Sequence, residues 1–260
     1  MTNEREQEVW LLLDNQRLDS ALLNNAAALA RLMKASLQGL FIEEENLKRA
    51  AEFSFSREIS GWSAQEREIT AEIIQRTLQF GARQNKRQLE MVARDNNIQC
   101  TFQVIHGERL SWIHENAKKP RILFIAGKQT SANYYQQLHY CSYSKAPIVL
   151  LYNGSVVSET ALKITLQMAE LTSSAVVILI LADQATEKFA LTTQVNESLS
   201  GESDIAITIQ YANGNQLLGS LHRLKASMLV FPDDIKLEDG KLVLERVAQR
   251  QLRFPVVLIQ

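Results

Sequence analysis

The sequence predicts an α/β protein made of two tandem, doubly wound parallel-sheet domains, and three observations carry that prediction. Short strands rich in Val, Ile and Leu alternate with segments of helical period along the whole chain. Several of these strands are unbroken apolar runs, the pattern expected when helices cover both faces of a parallel sheet. The two halves also overlay on each other. Shifted by 139 positions, VWLLLDNQRLDSAL from Val9 falls on IVLLYNGSVVSETA from Ile148, and SLQGLFI falls on AVVILIL. Shifted by 107, IQCTFQVIHG ending at Gly107 falls on IAITIQYANG ending at Gly214, and the strand at Ile122 to Phe124 falls on Leu229 to Phe231. The shift drops by 32 because the first half carries about that many extra residues between its second and third strands. A duplicated βαβ domain accounts for this.

In chain order, strands are expected at 8–14, 36–43, 98–105, 121–126, 147–152, 175–182, 204–211, 227–231 and 255–259. Between them, Leu22, Ala26, Leu29 and Met33 form one stripe of an amphipathic helix. Leu110, Ile113 and Ala117 repeat the pattern, as do Leu162, Leu166 and Ala169, and Leu217, Leu221 and Leu224. The predicted domains are 1–146 and 147–260, the first with a long helical insertion at about 44–95. Within it, Ser63 and Glu66 have capping-box spacing, which predicts a helix over 64–95 with a weak point at Gly81. The segment 147–153 matches both a closing strand of the first copy and an opening strand of the second. It is assigned to the second, which leaves the first copy with four strands and an edge that needs cover.

Composition narrows the function classes. With 46% hydrophobic and 22% charged residues, 10 Gly and 4 Pro, the chain is neither fibrous nor low-complexity. Its net charge of −1 supplies no global field for nucleic acid. No apolar run approaches the roughly 18–20 residues that span a bilayer, so no membrane insertion is expected. The polar opening MTNEREQE and the two cysteines point to a reducing compartment, with the cytoplasm as default.

The segments LLLD, ending at Asp14, and DSALLNNAAALARLMKASLQGLFI give a strand–acid–Ser–Ala-rich-helix–strand opening. With Gly107 after the third strand and Pro255-Val-Val-Leu-Ile at the end, the chain resembles a tandem universal stress protein, an adenine nucleotide alpha hydrolase-like fold. The resemblance implies bacterial or archaeal stress physiology. It also implies that nucleotide binding needs a loop Gly-x2-Gly-x9-Gly-(Ser/Thr), whose bare backbone amides approach phosphates. Here Gly127 fits the first glycine, but Thr130 and Tyr140 stand at the next two. The second copy has Asp233 and Asp234 after its fourth strand, and Asn153 replaces the acid of its first. A P-loop reading of Gly127-Lys128 fails, because Ile122 and Gln129 stand where Gly and Ser or Thr are required.

The candidate nucleotide-binding residues are therefore Asp14, Gly127, Lys128 and Ser131, all in the first copy. Phe53, Phe55 and Trp62 are candidate partner-binding residues, with pinning of the inserted segment as the structural alternative. Arg76, Arg83, Arg87 and Arg94 share one helix face, either as a docking stripe or as a solvated face laced by Glu72 and Glu90. His106, His114, His139 and His222 show no metal-ligand spacing, and no nucleophile elbow is present. Cys100 is expected inside a buried strand and Cys141 on a helical stripe, both structural.

The function expected is a non-enzymatic, universal-stress-protein-like regulator or scaffold acting through association with an unidentified protein, and a homodimer is one form of it. It would need no cofactor and no metal. The alternative is an adenine-nucleotide sensor that binds ATP or a related nucleotide only in the N-terminal domain.

Overall fold

A computed structural model describes residues 8–13, 20–45, 49, 57–59, 66–68, 70–116, 122–126, 146–199, 204–213, 217, 226–235 and 254–260. The described residues through Asn116 belong to one compact unit and those from Ile122 onward to a second.

The first unit holds β1 (Glu8–Leu13), α1 (Ser20–Leu32), β2 (Ser36–Glu44), β3 (Arg57–Ile59), β4 (Glu66–Glu68), α2 (Ala71–Asp95), β5 (Cys100–Gly107) and α3 (Arg109–Asn116). Its main strands run parallel in the order β5-β2-β1, while β3 and β4 pair antiparallel by themselves. Leu22, Leu23, Ala26, Ala27, Leu29 and Ala30 are the buried side of α1, which packs on β1 and β2. The buried stripe of α2 lies on β2 and β5. There Gly39 leaves room for the crossover helix: a Cβ on it would stand 2.6 Å from Leu89 Cδ2 and 3.0 Å from Phe102 Cδ2. The short helix α3 reaches β1 through Trp112, whose ring lies 5.9 Å from that of Trp10.

The second unit holds β6 (Ile122–Ile125), β7 (Ile148–Tyr152), α4 (Val156–Thr172), β8 (Val176–Leu181), α5 (Ala185–Ser198), β9 (Ile207–Ala212), β10 (Met228–Pro232) and β11 (Val256–Ile259). The strand order is β6-β11-β10-β7-β8-β9. All neighbours are parallel except β11 and β6, which pair antiparallel from Val256↔Ile125 to Ile259↔Ile122. The segment from Ile148 thus pairs with β8 and β10, as a second-copy strand, and the open edge of β6 is filled by β11 of the same chain.

The duplication holds at the level of single hydrogen bonds. β1 pairs with β2 as Val9↔Leu37, and β7 with β8 as Ile148↔Val176, each partner shifted by the same 139 residues. Leu37↔Cys100 likewise becomes Val176↔Ile207, with the third strand shifted by 107. Both first helices end alike, on left-handed Lys34 (φ 53) and Ser173 (φ 50). Ala35 N–H donates to Ala30 O at 2.8 Å, and Ser174 N–H to Ala169 O at 3.0 Å, the closing bond of a Schellman-type end.

All nine expected main strands are present, and three local expectations change. The long helix begins at Ala71, not 64, capped by Thr70, whose Oγ1 accepts from Ile73 N–H at 3.3 Å. Glu66 opens the strand β4 instead of closing a capping box, and Ser63 lies outside the described residues. The helix continues unbroken across Gly81. Cys100 is half-buried on β5, the outer strand of its sheet, where burial alternates along the chain.

Two stability predictions follow from these contacts. Gly39→Val is expected to destabilise the first unit by about 1–3 kcal/mol, the usual cost of overpacking, read as a lower denaturant midpoint. Lys34→Gly and Ser173→Gly should each stabilise by about 0.5–1 kcal/mol, because glycine occupies the left-handed region without a Cβ penalty.

Candidate functional site

In a doubly wound sheet, ligands bind beyond the carboxyl ends of the strands, where the strand order reverses. In the sequence, Asp14 immediately follows β1, and Gly127, Lys128 and Ser131 come after β6. These four residues, and Phe53, Phe55 and Trp62, lie outside the described residues.

At the equivalent end of the second unit the turn after β7 is described, and side chains of α4 and α5 hold it. The chain leaves β7 through Asn153 and Gly154, whose φ of +79° is a conformation that glycine adopts without strain. Asn153 Oδ1 accepts from Ser155 N–H at 3.2 Å, and Ser155 caps α4 by accepting from Ser158 N–H at 3.0 Å. One turn into α4, Glu159 gathers three donors. The hydroxyl of Tyr152, a fully buried side chain, donates to Glu159 Oε1. Gln194 Nε2 donates to the same oxygen at 2.9 Å and to Gly154 O at 3.3 Å, and Ser198 Oγ donates to Glu159 Oε2 at 3.0 Å. Helix α5 is thereby tied to the turn between β7 and α4. Burial, the hydrogen bond to Glu159 and the charge of Glu159 together hold the Tyr152 phenol protonated well above the ordinary tyrosine range.

On the far side of the strand-order reversal, β10 runs directly into Asp233 and the exposed Asp234. Asp233 N–H donates to Ile259 O at 2.9 Å, so that amide serves the sheet.

Shifting by 139 places Leu13 and Ser20 at the positions of Tyr152 and Glu159. The anionic network is thus particular to the second copy. The first unit has a pair of its own: His106 Nδ1, on exposed His106 of β5, lies 3.2 Å from Glu43 Oε2, a nearly buried carboxylate on β2. Ala182 and Asn213 occupy these two positions in the second unit. Sequence reading missed both constellations, because their members are brought together only by strand register and helix docking. Among the described residues, no group of three His, Cys, Asp or Glu side chains could hold a metal ion.

The arginines expected on one face of α2 are all exposed there. Arg76 pairs with Glu72 at 3.8 Å, while Glu90 pairs with Lys86 at 3.8 Å, one turn before it. The Cys100 thiol is pushed up by burial and then by the charge of Glu90, partly offset by Lys86, which disfavours the reactive thiolate.

The Glu159 network generates a pH prediction. Because the folded Tyr152 ionises above its unfolded counterpart, the unfolded state loses its proton first. Stability should therefore fall as pH rises beyond about 10. In Glu159→Gln the phenol should titrate at lower pH, read by ultraviolet absorbance. Glu159→Ala, which strands the buried hydroxyl, should cost about 1–3 kcal/mol in chemical denaturation.

No protein-family model matches the sequence, and no curated protein matches it. Among solved structures, the chain is similar to a universal stress protein from Archaeoglobus fulgidus, at 10% identity and TM-score 0.49 over 96% of this chain and 98% of that one. It is similar to a Pseudomonas aeruginosa protein assigned to the universal stress proteins, at 11% identity and TM-score 0.50 over 98% and 93%. It is also similar to the cytoplasmic domain of a prokaryotic cation chloride cotransporter, at 12% identity and TM-score 0.49 over 97% and 95%. Among the described residues, no helix is long and apolar enough to cross a membrane. Taken with the Pseudomonas structure, the strand order and the repeated register show that this chain has the fold of a universal stress protein in duplicate.

Proposed function

We propose that the chain is a non-enzymatic regulator or scaffold in the cytoplasm that works by associating with another protein, without ATP binding of the universal-stress-protein kind. The observation that carries this reading is the second unit's strand-end region. There the Glu159 carboxylate holds the turn after β7, and Asp233 and Asp234 follow β10 where a triphosphate would need unobstructed amides. The edge expected to need cover is that of β6, and it is paired with β11 of the same chain, so it lends no support to homodimer formation.

A second reading has one observation in its favour. The first copy carries Leu13 and Ser20 where the second has Tyr152 and Glu159, so this anionic plug has no counterpart there. In that reading the N-terminal copy of the repeat binds an adenine nucleotide, with Asp14 at the nucleoside and Gly127, Lys128 and Ser131 at the phosphates.

Thermal denaturation of the full chain with ATP, ADP or AMP at about 1 mM separates the two. A site with a dissociation constant near 10 μM would add about 2.7 kcal/mol, a shift of roughly 5 °C or more for a protein of this size. The scaffold reading expects no shift. A shift abolished by Asp14→Ala would establish the sensor instead.

A further inference from the structure

Helix α2 is amphipathic twice over. Its inner stripe of Leu78, Ala82, Asn85, Leu89 and Ala93 is buried. On the opposite side Ile73, Phe80 and Met91 are 48%, 69% and 56% exposed. These three stand 7 and 11 residues apart. At about 100° per residue, those steps return to within about 20° of one direction, a straight apolar line about 27 Å long. Exposed Arg76, Arg83, Arg87 and Arg94 run beside it on one flank, Arg76 paired with Glu72, and Thr77, Gln84 and exposed Asp95 lie on the other. Large apolar side chains this exposed, on a helix that already buries a separate stripe, mark a surface that meets something.

We propose that this outward face of α2 docks on an anionic lipid surface. The apolar line would enter the headgroup boundary, and the arginines would pair with lipid phosphates. Charge complementarity selects an anionic occupant. A second copy is disfavoured, because a two-fold antiparallel pairing of the apolar lines sets one arginine flank against the other. A protein partner on this line alone would bury a strip one helix wide, well under the roughly 800 Å² per partner of a stable interface. A lipid surface has no such minimum and accepts a convex helix, with each nearby basic residue adding about five-fold to binding.

The test is flotation of the full chain with vesicles of phosphatidylglycerol and phosphatidylcholine, against phosphatidylcholine alone, at about 50 mM and about 500 mM salt. Binding is expected to the anionic vesicles at low salt, and to be lost at high salt. Arg83→Gln/Arg87→Gln/Arg94→Gln should weaken it on the order of 100-fold, and Phe80→Gln/Met91→Gln about ten-fold. All five side chains are exposed, so thermal melts should match wild type. Failure of the wild-type chain to bind anionic vesicles overturns the proposal. So does equal binding by the arginine variant or equal binding to neutral vesicles. Arginine-dependent binding to a single-stranded oligonucleotide, insensitive to Phe80→Gln/Met91→Gln and with no binding to vesicles, would reassign the face to nucleic acid.

Discussion

The constraint on which the second unit depends is that the backbone groups of a fully buried strand such as β6 need partners. Ile148–Tyr152 can be only one strand, and pairing with β8 and β10 commits it to the second copy. β6 then lacks the parallel successor that a complete first copy would supply. The last strand of the chain resolves this by using both of its edges, parallel to β10 and antiparallel to β6. All four residues of β11 are buried, as that double duty requires. The edge of β6 that would otherwise need a second molecule is closed within one polypeptide.

The two copies keep their backbone and discard each other's chemistry. Register, helix ends and closing hydrogen bonds repeat residue for residue, because each is fixed by main-chain geometry that many side chains satisfy. The left-handed position after the first helix is Lys in one copy and Ser in the other. The strand ends are free of that requirement, and they differ. The first unit pairs a nearly buried Glu43 with His106, and the second uses Tyr152, Glu159, Gln194 and Ser198 to bind its own turn and helix together. Duplication here separates a copy whose first turn is held by its own side chains from one in which the residues at those positions differ.

The amino-acid sequence by itself determined the nine main strands, their parallel pairing except that of β6 with β11, the duplication and the copy to which Ile148–Tyr152 belongs. These follow from period and hydrophobicity, which act locally and recur at a fixed spacing. It did not determine where α2 begins. Ser63 and Glu66 satisfy a local capping pattern, yet Glu66 pairs in β4 and Thr70 makes the cap, since pairing outside the window outweighs a cap of about 1 kcal/mol. Nor did sequence reveal that Cys100 sits on an outer strand, because strand order depends on which distant segments pair. The Glu159 network was invisible for the same reason: Gln194 and Ser198 lie 35 and 39 residues further along, and only the docking of α5 brings them to α4. Tertiary structure decided those features because each depends on a contact between segments that no periodic pattern connects.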